Sequence, residues 1–162
     1  MNTEEIRVGI GDLNIAKDPQ KLITVGLGSC IGIALYDKTS GIAGLSHIML
    51  PDSKQFSSVT NPMKFADLAI PILVNKMELK GAKKRNLIAK IAGGASMFNF
   101  SDKNIISDIG YRNGVMVKEV LNELGIRLIS EEIGGNKGRT MIVDSANGLV
   151  SIRTVGEGTK EI

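Results

Sequence analysis

Two apolar runs with a short polar turn between them restrict the possible fold more than any other part of the sequence. The runs are "CIGIALYD" at 30–37 and "IAGLSHIML" at 42–50, and "KTSG" separates them. Apolar runs that flank a turn containing Ser and Gly predict a β-hairpin. Neither run carries many polar residues on either face, which is typical of strands that are covered on both sides. We therefore expect this hairpin to lie inside the protein.

The rest of the chain shows strand and helix patterns in a simple order. Periodicity and punctuation predict strands at 4–13, 21–27, 86–95, 126–135, 138–145 and 149–155 and helices at 61–81 and about 111–125. An order of several strands, helix, strand, helix and several strands is typical of an α/β or α+β protein in which two helices cover a sheet. The length of 162 residues fits one domain, which we expect to span 1–162.

The first predicted helix contains its own start and stop signals. Asn61 can cap it, Pro62 suits its first turn and Gly81 can end it. Pro71 lies in its interior and has no backbone N–H, so we expect a kink or a break there.

Composition excludes several classes of protein. The chain has one Cys and one His, so an intrachain disulfide and a thiolate-rich zinc site are both excluded. The segment at 1–12 is too polar for a signal peptide, and no apolar run approaches the roughly 20 residues that span a bilayer. We expect a cytoplasmic protein.

The charge pattern is mildly basic, with a formal net charge of +3. The densest basic cluster comprises Lys80, Lys83, Lys84 and Arg85. Aromatic residues make up only 4% of the chain and no nucleic-acid-binding motif accompanies the cluster, so we expect no nucleic-acid partner. The cluster is typical of a solvated helix end and turn, and a docking surface for an acidic protein is the alternative.

The hairpin also contains the only thiol and the only imidazole of the chain, Cys30 and His47. A turn centred on 39–40 places Asp37 opposite Ile42, and continuing this register places His47 opposite Gly32. Because side chains alternate along a strand, Cys30 then shares a face with Gly32 and becomes a diagonal neighbour of His47. A slip of one residue would put the two side chains on opposite faces.

The residues around this pair favour nucleophilic chemistry. A neighbouring imidazole can remove the proton of a thiol or lower its pKa, and a third polar group normally orients the imidazole. Thr24, on the strand before the glycine turn, is a candidate for that role. Gly26 and Gly28 allow a sharp bend that can present N–H groups to an oxyanion, and Gly32 leaves space for the imidazole and a substrate. The alternative is that Cys30 and His47 are ordinary buried residues.

Three glycine-containing motifs are candidates for binding sites. "GLGSCIG" lacks the third glycine of a dinucleotide-binding loop, because Ile31 stands at that position. "GGNKGR" at 134–139 is interpreted as a tight turn between strands, with an anion cradle as the alternative. "GGASMF" at 93–98 indicates that the backbone at a strand end closely approaches either a neighbouring strand or a site. Met97, Phe98 and Phe100 beside it are either core residues or an exposed apolar patch.

Several motifs together resemble the CheD family of chemoreceptor glutamine deamidases. They are Thr24 on its strand, "LGSC" at 27–30, "HIMLP" at 47–51, "AK…GGA" at 89–95, "IG-x-RN" at 109–113 and "GG-x-x-GR" at 134–139. The resemblance covers about 6–155. Ala92 departs from it, because many family members carry a larger residue before the double glycine.

The resemblance implies an α/β layered sandwich of mixed β-sheet with two main helices, similar to bacterial toxin-type cysteine deamidases. It implies a catalytic triad in which Cys30 is the nucleophile, His47 the general base and then acid, and Thr24 the orienting residue. Backbone groups at Gly28 and Ser29 would form the oxyanion site, and no cofactor or metal is implied.

The resemblance also implies particular partners. The substrates would be glutamine side chains of methyl-accepting chemotaxis receptors, a CheC-type phosphatase would bind, and contact with the membrane would occur only through the receptors. Two alternatives stay open: a regulator that binds without catalysis, and hydrolysis of receptor glutamyl methyl esters by the same thiol.

Overall fold

A computed structural model describes residues 4–96 and 108–162. Its strands are β1 (Glu5–Arg7), β2 (Asp12–Lys17), β3 (Lys21–Leu27), β4 (Ile31–Asp37), β5 (Ile42–Ile48), β6 (Leu87–Gly93), β7 (Arg127–Ile133), β8 (Arg139–Asp144), β9 (Val150–Thr154) and β10 (Gly158–Glu161). Its α-helices are α1 (Ala66–Leu79) and α2 (Ile109–Glu123), and short 3₁₀ turns lie at Ser53–Gln55, Pro62–Lys64 and Lys84–Asn86.

The strands form two five-stranded mixed sheets. Sheet A has the order β1-β3-β8-β9-β10, and sheet B has the order β2-β5-β4-β6-β7. One parallel pair occurs in each described sheet, β1 with β3 and β6 with β7. The predicted layered α/β sandwich with mixed sheets and two helices is therefore confirmed.

Two hydrophobic cores hold three layers together. One core lies between the two sheets, and the other lies between sheet B and the two helices. Every residue of β4 and β5 is buried, because this hairpin is covered by sheet A on one face and by helices on the other. The expectation that the apolar hairpin lies inside the protein is confirmed, and so is its burial on both faces.

The hairpin register agrees with the predicted one. Asp37 pairs with Ile42, and Gly32 pairs with His47. The Asp37 carboxylate accepts hydrogen bonds from the backbone N–H groups of Thr39 and Ser40 at 2.9 and 3.3 Å, which fixes the turn. The side-chain alternation predicted for Cys30, Gly32 and His47 therefore rests on an observed register.

The single strand predicted at 4–13 is wrong. The chain forms β1 in sheet A, leaves it at Val8 and enters sheet B as β2. A turn at Gly11, with φ of +69°, allows this change of sheet. Because Gly adopts positive φ without a steric penalty, Gly11 permits a turn inside a stretch whose sequence looked compatible with one long strand.

The first helix is divided at a different place from the one predicted. Asn61 caps a 3₁₀ turn at Pro62–Lys64, Phe65 is extended, and α1 begins at Ala66. Pro71 lies inside α1, which continues to Leu79. Gly81, with φ of +115°, follows the helix end as predicted.

Other boundaries differ slightly from the predictions. α2 begins at Ile109 rather than near Tyr111, because the Asp108 carboxylate accepts from the N–H of Gly110 at 2.8 Å and so caps the helix earlier. The strand β10 was not predicted, since its polar sequence lacks apolar alternation. The apolar patch suggested at Met97, Phe98 and Phe100 lies outside the described residues.

Candidate active site

The connection from β3 to β4 crosses from sheet A to sheet B and carries Cys30. The pairing of β3 with β8 shifts register between Thr24 and Leu27, and Gly26 has φ of +74°. The Gly28 N–H donates to the Gly26 carbonyl at 3.0 Å, which tightens the bend. Cys30 follows directly and is half-buried. The predicted sharp glycine bend before the thiol is confirmed.

Residues 28–30, which connect β3 to β4, form the crossing segment. All three of its carbonyl groups accept hydrogen bonds. The Gly28 and Cys30 carbonyls accept from the backbone N–H groups of Ala95 and Gly94, each at 2.8 Å. The Ser29 carbonyl accepts from the side-chain amide of Asn113 at 2.9 Å. Donors from the end of β6 and from α2 therefore fix the peptide planes on both sides of Ser29.

Among residues 4–96 and 108–162, the N–H groups of Ser29 and Cys30 donate to no backbone carbonyl. In a trans peptide the N–H points away from the preceding carbonyl, so both N–H groups point away from the Ala95 and Asn113 donors. The Cys30 N–H also lies close enough to its own sulfur to stabilise the thiolate. Two N–H groups beside a thiol that donate to no backbone carbonyl can serve as the donors of an oxyanion site. The Gly28 N–H is already used within the bend.

His47 lies near the end of β5 and faces the space between the sheets. His47 is fully buried, and its backbone carbonyl accepts a hydrogen bond from the Gly11 N–H at 2.8 Å. Cys30 packs against the same inter-sheet core. The two side chains therefore lie in one layer, two positions apart in the register that pairs Gly32 with His47.

Thr24 reaches His47 from the opposite sheet and determines which ring nitrogen carries the proton. The Thr24 Oγ1 lies 2.7 Å from the Val8 carbonyl oxygen and 2.7 Å from Nδ1 of His47. A carbonyl can only accept, so the single hydroxyl proton of Thr24 goes to Val8. The hydroxyl oxygen must then accept from Nδ1–H, which leaves Nε2 of His47 with a free lone pair.

Nε2 of His47 is able to accept a proton. Nε2 of His47 is buried and has no hydrogen-bond partner in the part of the chain that the structure describes. Burial lowers the pKa of His47 to about 4, so the ring is neutral at pH 7. Burial also raises the pKa of the Cys30 thiol, and only its own backbone N–H opposes this. Thiol and imidazole are thus both neutral, and proton transfer must accompany attack.

One expectation about the space at the site is wrong. A methyl group on Gly32 would lie 2.7 Å from the Met141 sulfur and 3.2 Å from a Leu27 methyl. The space above Gly32 is therefore filled by sheet A and is not open to a substrate. Gly32 instead allows the two sheets to pack closely beside His47.

Two other glycine-containing turns, at 93–95 and 134–139, support the crossing segment. A side chain on Gly93 would overlap the Cys30 carbonyl, so β6 approaches the Cys30 peptide at a distance that only glycine permits. The buried Arg139 guanidinium donates to the carbonyls of Gly93 and Gly134 at 3.0 and 2.8 Å. "GGNKGR" thus forms the turn between β7 and β8, held by its own arginine.

Sequence reasoning missed two groups at this site. The Val8 carbonyl is a backbone atom whose position depends on the break between β1 and β2, and no sequence signal identifies it. Asn113 belongs to the "IG-x-RN" motif, but the motif gave no reason to connect it with Ser29.

No group of three His, Cys, Asp or Glu residues is clustered for metal binding within 4–96 and 108–162.

The chain is similar to known proteins over its full length. A family model described as "CheD chemotactic sensory transduction" matches residues 49–154. A protein of Clostridium botulinum strain Hall named "Probable chemoreceptor glutamine deamidase CheD" is 71% identical over 162 residues, which is 100% of both chains. A protein of Clostridium novyi strain NT with the same name is 69% identical, again over 100% of both chains.

A solved structure was also matched. The hypothetical protein YfiH of Bacillus licheniformis has a TM-score of 0.49 and 12% sequence identity, and the match covers 77% of this chain and 51% of that one.

The family-model match begins after Thr24, Cys30 and His47, whereas the two clostridial relatives span these positions. No helix among the described residues is long and apolar enough to cross a membrane.

Proposed function

Because the chain belongs to the CheD family, we propose that it hydrolyses the side-chain amide of selected glutamine residues on methyl-accepting chemotaxis receptors. The clostridial relatives carry the name of this activity and match the whole chain. Residues 1–162 then act as one deamidase domain. The observation that carries the proposal is the hydrogen bond between Thr24 and Nδ1 of His47, because it leaves Nε2 free as a base in the layer that holds Cys30.

The proposed reaction begins with attack by Cys30. Nε2 of His47 takes the thiol proton while Sγ bonds to the carboxamide carbon, and the carbonyl electrons move to the oxygen. The N–H groups of Ser29 and Cys30 stabilise this oxyanion. His47 then gives its proton to the leaving nitrogen, and ammonia departs from a thioester.

Water completes the proposed reaction. Nε2 of His47 removes a proton from water, the hydroxide attacks the thioester, and the Cys30 thiol leaves with the proton returned by His47. One water is consumed, one ammonia is released and the receptor glutamine becomes glutamate. Thr24 keeps Nδ1 protonated throughout. All proton transfers and charge stabilisation come from side chains and backbone groups, so the proposal includes no cofactor.

The proposal includes a place of action and a regulatory partner. Chemotaxis receptors expose their helical bundle in the cytoplasm, so we place the protein there, at the membrane only through its receptor substrate. Family membership also supports a CheC-type phosphatase as a binding partner. A pull-down of purified CheC-type protein with the wild-type chain tests this part separately, and absence of binding at micromolar concentrations would remove it from the proposal.

Ammonia release from a purified receptor cytoplasmic fragment tests the activity. We expect release with the wild-type protein and none above background with Cys30→Ala. Ser29→Ala is the matched control, since it alters the neighbouring side chain but keeps the N–H groups, and it should retain activity. Methanol measured in the same reactions on methylated receptor reports ester hydrolysis. Ammonia release by folded Cys30→Ala would refute the proposed nucleophile.

A further inference from the structure

Asn113 joins the two segments that carry the thiol and the imidazole. It lies on α2 and is fully buried. Its amide nitrogen donates to the Ser29 carbonyl at 2.9 Å and to the Met49 carbonyl at 3.1 Å. The paired ladder of β4 and β5 ends at Ile31 and Ile48. Asn113 therefore bridges the two chains immediately beyond their last pair.

Planarity of the peptide bond links this contact to the oxyanion site. The Ser29 carbonyl and the Cys30 N–H belong to one rigid peptide unit and point in opposite directions. A donor that fixes the carbonyl therefore fixes the direction of the N–H. The neighbouring peptide, which provides the Ser29 N–H, is fixed by a different group, the backbone N–H of Ala95. Asn113 is thus the side chain that sets the second of the two donors.

Close packing of α2 places Asn113 within reach of the crossing segment. A side chain on Gly110 would lie 2.5 Å from the Ala95 carbonyl oxygen and 2.8 Å from that of Gly94, so only glycine permits this approach. Gly110 and Asn113 are three residues apart and share one face of the helix. The turn that supports the Cys30 peptide therefore also aligns the helix that carries Asn113.

The geometry points to Asn113 as a positioning residue that orients the Cys30 N–H toward the oxyanion. Only its donor end is used, because Oδ1 has no partner among the described residues. The inference rests on the proposed function for its biological meaning. The orientation itself can be measured with small reagents at Cys30, the single cysteine of the chain.

Two reactions of Cys30 separate oxyanion stabilisation from thiol reactivity. Acetylation by p-nitrophenyl acetate adds Sγ to a carbonyl carbon, places negative charge on the carbonyl oxygen and expels p-nitrophenolate. Alkylation by iodoacetamide displaces iodide at a saturated carbon and forms no oxyanion. Changes in the thiol pKa or in access affect both rates, so their ratio reports the oxyanion donors.

We expect Asn113→Ala to lower the ratio of acetylation to alkylation rate by about tenfold or more relative to wild type. Asn122→Ala, an exposed position on the same helix, is the control and should leave the ratio unchanged. Asn113→Leu, which fills a similar volume without a hydrogen-bond donor, should lower the ratio in the same way and supplies a second test if the alanine variant does not fold. An unchanged ratio in either folded variant would overturn the inference. Failure of the wild type to deamidate receptor, with a lowered ratio in the variant, would refute only the proposed function.

Discussion

His47 is the only imidazole of the chain, and its two ring nitrogens lie in opposite environments. Nδ1 contacts a hydroxyl whose proton is committed to the Val8 carbonyl, while Nε2 has no described partner. Because a carbonyl can only accept, the Val8 carbonyl determines, through Thr24, the tautomer of His47, the proposed catalytic base. Thr24 acts as an acceptor for the imidazole even though it carries no charge.

Removing the Thr24 hydroxyl tests this chain of hydrogen bonds. Thr24→Val keeps the shape but leaves Nδ1 without an acceptor, so both tautomers become accessible. We expect a loss of about 10²-fold in the deamidation rate and a stability loss of about 1–3 kcal/mol from unpaired buried groups. Thr24→Ser, which keeps the hydroxyl, should stay near wild type. Steady-state rates and thermal unfolding check both values, and full activity of folded Thr24→Val would contradict the assignment.

Acidic pH provides a second test of the environment of His47. Because the pKa of His47 lies at about 4, the base stays deprotonated well below pH 6.5. We expect activity to fall as pH drops through about 4, and an NMR titration of the single imidazole to give the same midpoint. A midpoint near 6.5 would show that burial does not lower the pKa of His47.

The same pKa shift affects stability in a defined direction. The unfolded chain binds a proton below about pH 6.5 and the folded chain only near pH 4. Stability from His47 is therefore fully present above pH 6.5 and is lost as pH falls toward 4, with a total of about 3 kcal/mol. Urea unfolding at intervals across this window measures the loss.

The outer edge of β2 is occupied by hydrogen bonds to nearby side chains. Three alternate backbone N–H groups, those of Leu13, Ile15 and Lys17, donate to side-chain oxygens. The acceptors are Asp12 and Asn14, each at 2.8 Å, and Gln20 at 3.0 Å. An edge whose donors are already bound is a poor template for another strand.

Replacing two of these acceptors should open the edge. Asp12→Val with Asn14→Val frees two N–H groups and raises β propensity, so we expect more self-association by light scattering than in wild type. The exchanged pair Asp12→Asn with Asn14→Asp keeps both acceptor oxygens and the net charge, and should behave like wild type. Equal scattering from both double variants would contradict this interpretation of β2.

Local signals made parts of this arrangement predictable. The hairpin register follows from the turn and the apolar alternation, and its continuation by one residue beyond Ile31 brings Cys30 and His47 to one face. The role of Val8 could not be predicted, because it depends on a break between β1 and β2 that two glycines make possible without requiring it. The contact of Asn113 with Ser29 depends on how α2 docks against a distant loop, which periodicity alone does not specify.

The site is assembled where the three layers of the molecule meet. Thr24 comes from sheet A, His47 from sheet B, Cys30 from the chain that crosses between the sheets, and Asn113 from the helix layer. Substrate can approach from the Cys30 side, since Cys30 is half-buried and His47 is fully buried. The fold thus shields the proposed base from solvent and leaves the proposed nucleophile accessible, as the proposed attack on a receptor side chain requires.

Interception of the thioester is the most direct test of the central claim that Cys30 forms a covalent intermediate with receptor glutamines. Hydroxylamine attacks a thioester faster than water does and converts it to a hydroxamate, so modified receptor glutamines should gain about 16 Da instead of about 1 Da. We predict hydroxamates at discrete glutamines with wild-type protein and none with Cys30→Ala, measured by peptide mass spectrometry of the receptor fragment. Glutamate as the only product in saturating hydroxylamine, or hydroxamates formed by Cys30→Ala, would contradict a thioester intermediate on Cys30.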